Sequence, residues 1–174
     1  NALMDMCNAA GVTVIEDCAH TMGAAWDGVP SGRWGKFGCY STQTYKHVNS
    51  GEGGLLISDD AEGMARAIML SGSYMLFEKH RAAPPVETFA QIKYETPNIS
   101  GRMDNLRAAI LRPQLRDLDV QAKRWNDRYA VLADGLSTAL VLAPLELVKR
   151  IVSEGQISRV TLVDRSGDLT TFSA

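Results

Sequence analysis

Apolar and polar positions change their period several times along the chain, and each change marks an element. Residues 2–10, "ALMDMCNAA", are helix formers, and Gly11 sits where a glycine ends a helix. "VTVIE" (12–16) is a short β-branched run that reads as a strand buried on both faces, and therefore a parallel one. "WDGVPSGRWG" (26–35) carries Asp-Gly and Pro-Ser-Gly signals of a loop or hairpin. "FGCYST" (37–42) and "GLLIS" (54–58) read as further strands, and Ser58 or Asp59 can cap the helix that follows through "DAEGMARAIML". Residues 72–100 lack a clear period and hold Pro84, Pro85 and Pro97, the mark of a long ordered loop, a kind that is often functional.

From Met103 a helical face returns through Leu106, Ile110, Leu118, Trp125, Tyr129 and Leu132, with Trp125 and Tyr129 read as core residues. Pro113 cannot bond the carbonyl of Ala109, so a kink or break is expected there. "PLELVKRIVSEG" (144–155) reads as a helix, and "ISRVTLVDRSGDLTTF" as two strands around a Ser-Gly turn. No repeat or low-complexity segment interrupts this order, which points to α/β layering.

Composition narrows the function classes. With 174 residues, 45% hydrophobic and 22% charged, the chain suits an ordinary globular domain. A net charge of −2 without a Lys/Arg run gives no footprint for nucleic acid. No apolar stretch reaches the length of a membrane span, and no signal peptide opens the sequence. Cys7, Cys18 and Cys39 are odd in number and lack C-x-x-C spacing, so a reducing cytoplasm is the default compartment. The chain opens at Asn1, inside an expected helix and without an initiator Met, which reads as a fragment.

Chemistry concentrates just beyond the expected strands, where open parallel sheets collect ligand groups. "VIEDCAH" (14–20) sets Asp17 at the end of a strand, with Cys18 and His20 close by. Lys46 lies five residues past Ser41, again beyond a strand. An acid, a hydroxyl and a lysine at one sheet edge suit a phosphorylated, electron-withdrawing cofactor, because lysine condenses with an aldehyde and an acid keeps a pyridinium protonated. A metal site from Asp17, Cys18 and His20 is not expected, since successive strand-end residues point apart and no fourth ligand is evident. Each residue has a plainer reading. Asp17 alone reads as a turn cap, His20 as a hydrogen-bonded structural histidine, and Lys46 as a surface lysine. "GEGG" (51–54) reads as tight-turn chemistry.

Taken in order, "VIEDCAHTMGA", the G-x-x-G of Gly32 to Gly35, "STQTYKHVNSGEGG" and "GRMDNLRAAILRPQL" resemble the DegT/DnrJ/StrS family of pyridoxal-phosphate (PLP) sugar aminotransferases, over roughly residues 3 to 136. The resemblance implies the aspartate-aminotransferase fold, of type I. Residues 1–137 would be part of a PLP-binding large domain, a mainly parallel sheet flanked by helices and followed by a long helix. Residues 138–174 would be the start of a small C-terminal domain or an unrelated tail. It makes Lys46 the Schiff-base lysine and proton shuttle, and Asp17 the partner of the pyridine nitrogen. Ala19 would lie under the ring, His20 (where many members carry Gln) near its phenolic oxygen, and Ser41 on the phosphate. Either Asn98 or Ser100, before Arg102, would reach the site of a partner subunit, so a homodimer with shared sites is implied. The family's phosphate loop and stacking aromatic would precede this region, which implies that these residues alone are inactive. The implied reaction turns a keto sugar, usually nucleotide-linked, into an amino sugar with an amino-acid donor such as glutamate, a step of polysaccharide and sugar-nucleotide biosynthesis. Family dehydratases replace the lysine with His, so Lys46 speaks against that alternative. A non-catalytic binding or regulatory relative is the other.

Overall fold

Asn1 begins the first helix, α1 (Ala2–Ala9), by accepting the Leu3 N–H on its side chain. Gly11, at φ 65°, turns the chain out of it as the sequence pattern predicts. The computed structural model describes residues 1–163, 166 and 168–173, all with side chains except Tyr74 and Met75.

Three strands carry the site. Strand β1 (Ile15–Asp17) lies parallel to β4 (Phe37–Ser41), with Ile15 opposite Phe37 and Asp17 opposite Cys39. Between them Ala25–Trp26 (β2) and Val29–Pro30 (β3) form a hairpin. Its Asp27 and Gly28 both take positive φ, 50° and 75°, as a type I′ turn requires. Strand β5 (Gly54–Ile57) pairs antiparallel with β4, so the sheet order is β1-β4-β5 and the sheet is mixed. The loop 42–53 forms turns and no helix, so it lacks the helical crossover that a parallel pairing normally uses. The parallel pairing of β1 matches its sequence pattern. Its burial does not: β1 is an edge strand and Ile15 is 63% exposed.

Helix α2 (Ala61–Leu70) is capped by Asp60, which accepts the Gly63 N–H at 2.9 Å, rather than by Ser58 or Asp59. Ser58 Oγ instead accepts the Asp60 N–H, and Asp59 pairs with Arg33. Residues 72–100 are not the long loop that their aperiodic pattern suggests. They form 3-10 turns at Tyr74–Lys79 and Val86–Thr88 and helix α3 (Phe89–Glu95). Phe77, Phe89 and Ile92 pack there on Ala65, Ile68 and Met69 of α2, with the two phenyl rings stacked at 4.5 Å. Burying each such side chain contributes about 1.5–3 kcal/mol. The prolines interrupt the period while the anchors on either side of them still meet.

Helix α4 (Asn105–Arg116) contains Pro113 and gives way at Asp117 to α5 (Leu118–Leu142), so the expected break falls one turn past the proline. A second core joins Met22, Val48 and Leu111, with Tyr40, Leu55, Met103 and Leu118 against it. Trp125 and Tyr129, read as core residues, lie at the surface at 36% and 73% exposure. No described residue of α5 is buried, although Leu118, Trp125, Tyr129 and Leu132 recur along one face of it.

The chain divides into two compact units, Asn1–Ala122 and Lys123–Ala174. In the second, α6 (Leu145–Ser153) lays Val148 and Val152 on Val160 of a two-stranded sheet, β6 (Arg159–Val163) and β7 (Leu169–Ser173). This matches the helix-then-hairpin pattern. The Gly167 of the expected Ser-Gly turn lies outside the described residues.

Candidate active site

Parallel pairing of β1 and β4 brings two carboxyl ends to one edge of the sheet. Asp17 closes β1 opposite Cys39, and Ser41 closes β4 two residues further on. Beyond Asp17 the chain turns at once, with Ala19 N–H donating to Asp17 Oδ1 at 3.0 Å and Thr21 N–H to the Cys18 carbonyl. Among the described residues Asp17 Oδ2 has no hydrogen-bond partner, which leaves it able to accept one. Ser41 Oγ accepts the Gln43 N–H at 3.3 Å, and its own proton has no acceptor among the described residues.

The lysine loop, residues 42–53, is closed by its own main chain. Thr42 N–H donates to the Gly53 carbonyl, Thr44 N–H to that of Gly51, and Ser50 N–H to that of Thr42. Gly51 and Gly53 hold positive φ, 88° and 133°, so "GEGG" is turn chemistry as the sequence suggests. Lys46 sits at the tip, its N–H on the Gln43 carbonyl and its own carbonyl taking Asn49 Nδ2 at 2.9 Å.

The lysine loop and the turn after β1 meet. Lys46 Nζ lies 2.9 Å from His20 Nε2. An ammonium can only donate, so His20 presents a neutral Nε2 lone pair when the lysine is charged. Next to Lys46, His47 Nε2 donates to the Met22 carbonyl at 2.7 Å, since a carbonyl can only accept. Two residues past His20 and two past Lys46, Met22 and Val48 enter the same core on Leu111. One apolar cluster therefore supports both halves of the pair.

Glu16 points to the other side of β1 and accepts the N–H groups of Gly32, Trp34 and Gly35 at 2.8, 2.7 and 2.7 Å. The G-x-x-G is thereby explained. Gly32 has φ 85°, and a Cβ on Gly35 would stand 2.7 Å from the Val14 carbonyl oxygen. Tyr40 donates its hydroxyl to the Ser31 carbonyl, and burial raises its phenol above the ordinary range.

Asn98 and Ser100 bond each other. Asn98 Oδ1 accepts the Ser100 N–H at 2.7 Å, with Ser100 at φ 54°. Their segment is fastened to the end of α2 by Ile99 N–H on the Leu70 carbonyl and Arg102 on the Gly72 carbonyl. The fold thus gathers Asp17, Ala19, His20, Ser41 and Lys46 on neighbouring segments. Asn98 and Ser100 have their own local contacts. Glu16, His47, Asn49 and Gln114 escaped the sequence reading. The only signal they give there is position inside the quoted motifs.

Chemically, the group offers an amine, a carboxylate oxygen able to accept and a hydroxyl able to donate. Among the described residues no three His, Cys, Asp or Glu are placed to hold a metal, and no helix is long and apolar enough to cross a membrane.

Comparison with known proteins gives the chain's family. An L-glutamine:scyllo-inosose aminotransferase of Streptomyces griseus is 35% identical over 151 residues, 83% of this chain and 35% of that protein. An L-glutamine:2-deoxy-scyllo-inosose aminotransferase of Streptomyces lividus is 33% identical over 162 residues, 91% of this chain and 36% of that protein. The chain thus spans about a third of the length of the curated relatives it matches. A crystal structure of a DegT DnrJ EryC1 StrS aminotransferase from Brucella abortus superposes with a TM-score of 0.50 at 25% identity, over 67% of this chain and 28% of that one. The model of the DegT/DnrJ/EryC1/StrS aminotransferase family matches residues 1–167, and the chain belongs to that family.

Proposed function

We propose that the protein acts in a PLP-dependent aminotransferase that converts the keto group of a polyhydroxylated ring to an amine. The observation that carries this reading is the lysine amine at 2.9 Å from His20, beside the carboxyl edge that ends in Asp17 and Ser41. Those donors and acceptors fit PLP: an amine for its aldehyde, a carboxylate for its pyridinium N–H, a hydroxyl for its phosphate. When bound, the cofactor supplies a carrier for the amino group and a sink for an electron pair. Lys46 anchors it and moves the proton at the substrate carbon. Asp17 Oδ2 holds the ring nitrogen's proton, the Ser41 hydroxyl donates to the phosphate, and His20 steadies the Lys46 amine. Ala19 has a side chain small enough to lie under a flat ring. In this reading Asn98 or Ser100 serves a partner subunit's site within a homodimer.

The substrate class is a keto sugar or keto cyclitol, free or nucleotide-linked. The relatives' names pair L-glutamine with inososes, which makes glutamine the first donor to try and glutamate the second. The dehydratase reading is disfavoured by Lys46 itself. The test is borohydride reduction of the PLP-loaded full-length protein, followed by peptide mapping. We expect the pyridoxyl group on Lys46. Label on another lysine, or none, overturns the assignment.

A further inference from the structure

We propose that Gln114 is a positioning residue for Lys46, a latch that fixes the lysine loop on helix α4. The proposal rests on the reading of Lys46 as the cofactor's anchor. The Gln114 carboxamide grips the main chain of Asn49 from both sides: Oε1 accepts the Asn49 N–H at 3.0 Å, and Nε2 donates to the Asn49 carbonyl at 2.8 Å. Nε2 also donates to the Ile110 carbonyl one turn back, at 2.9 Å, which holds the carboxamide in that orientation. From Asn49 the connection continues through its side chain, whose Nδ2 donates to the Lys46 carbonyl at 2.9 Å. Only an amide side chain offers an acceptor and a donor side by side at this spacing.

The loop does not need Gln114 to close, since its main-chain bonds at Thr42, Thr44 and Ser50 do that. What Gln114 adds is the loop's placement on the rest of the fold. Leu111, three residues earlier on the same helical face, packs on Val48 and is 2% exposed. Helix α4 therefore holds Val48 by apolar contact and Asn49 by hydrogen bonds. Opposite, His47 ties the same loop to the Met22 carbonyl and so to the turn that carries His20. The Lys46 amine is set from both sides. Displacement of a reacting group by about 1 Å costs on the order of 100-fold in rate, so the latch acts on how fast Lys46 meets an aldehyde.

The test uses the full-length protein with added PLP, trapped by borohydride at timed intervals. Peptide mapping gives the ratio of label on Lys46 to label on the exposed reference Lys123. Two variants separate bonding from bulk. Gln114→Met keeps the length and loses both bonds, whereas Gln114→Glu keeps an acceptor for the Asn49 N–H and sets a second acceptor against its carbonyl. We expect both to lower the initial Lys46-to-Lys123 ratio about ten-fold, with similar secondary structure. A loss of stability that leaves the variant fully folded would lower neither ratio. An unchanged ratio in a folded Gln114→Met, with wild-type label on Lys46, overturns the latch alone. Wild-type label on another lysine overturns the anchor reading and the latch with it. A measurement on the wild type covers variants that fail to fold: the Asn49 amide should exchange its hydrogen slowly, and exchange at the rate of an unbonded amide overturns the latch.

Discussion

Two neighbours on one short strand, Glu16 and Asp17, face opposite tasks. Asp17→Asn keeps an oxygen for the Ala19 N–H, so stability should change by no more than about 0.5 kcal/mol. The amide cannot hold a pyridinium proton, and kcat for transamination should fall on the order of 100-fold or more. Single-turnover rates with glutamine, set beside thermal melting, check both halves. Glu16→Gln has the reverse signature. Its carboxylate accepts three main-chain N–H groups, and an amide would turn a donor towards one of them. We expect a loss of about 1–3 kcal/mol in urea denaturation. At this scale the order and spacing of Asp17, His20, Ser41 and Lys46 place them just beyond two strands, which is where the fold has them. Glu16 and Gln114 were not legible, because their partners lie 16 to 19 and 65 residues away and no local pattern records such a pairing.

Elements whose faces see one environment were readable: α1, β4, β5, α6 and the terminal hairpin all follow their pattern. Where an element draws its burial from scattered anchors, as in residues 72–100, the period vanishes while the packing persists. In α5 a face is readable in the sequence, yet the helix buries no described residue. Helix α2 gives a test with a sign. Asp60 has its carboxyl held below the ordinary 3.8 by the Gly63 N–H and then by Lys36, whose ammonium is raised in turn by Asp60. A depressed folded value means that the stabilisation is complete above the unfolded value and lost as pH falls through the folded one. Asp104 caps α4 in the same sense through the Arg107 N–H. Asparagine caps as well as aspartate, so Asp60→Asn should leave neutral-pH stability nearly unchanged. It should also flatten the fall in urea midpoint below about pH 4 by one group's share. A slope identical to wild type would show that the Asp60 carboxylate adds nothing to the acid limb, through neither the Gly63 N–H nor Lys36.

At the scale of the molecule, β1 presents an edge unpaired among the described residues, with Ile15 at 63% exposure, and α1 adds Leu3 and Met6 at 63% and 70%. Such an edge invites pairing with another chain, so the purified 174-residue chain should sediment above its 18.9 kDa monomer mass. Ile15→Lys should return it towards that mass without lowering its melting temperature. The bonds between Gln114 and Asn49 have a consequence in time as well. The C-terminal hairpin joins residues close in sequence, from Val163 with Leu169 to Arg159 with Ser173, whereas Gln114 must find a partner 65 residues behind it. Local contacts form early and distant ones late. In pulse-labelled refolding, the amides of β6 and β7 should therefore gain protection before that of Asn49. On the ribosome, Lys46 is made before Gln114 exists, so the amine that the finished protein aims first emerges without its latch.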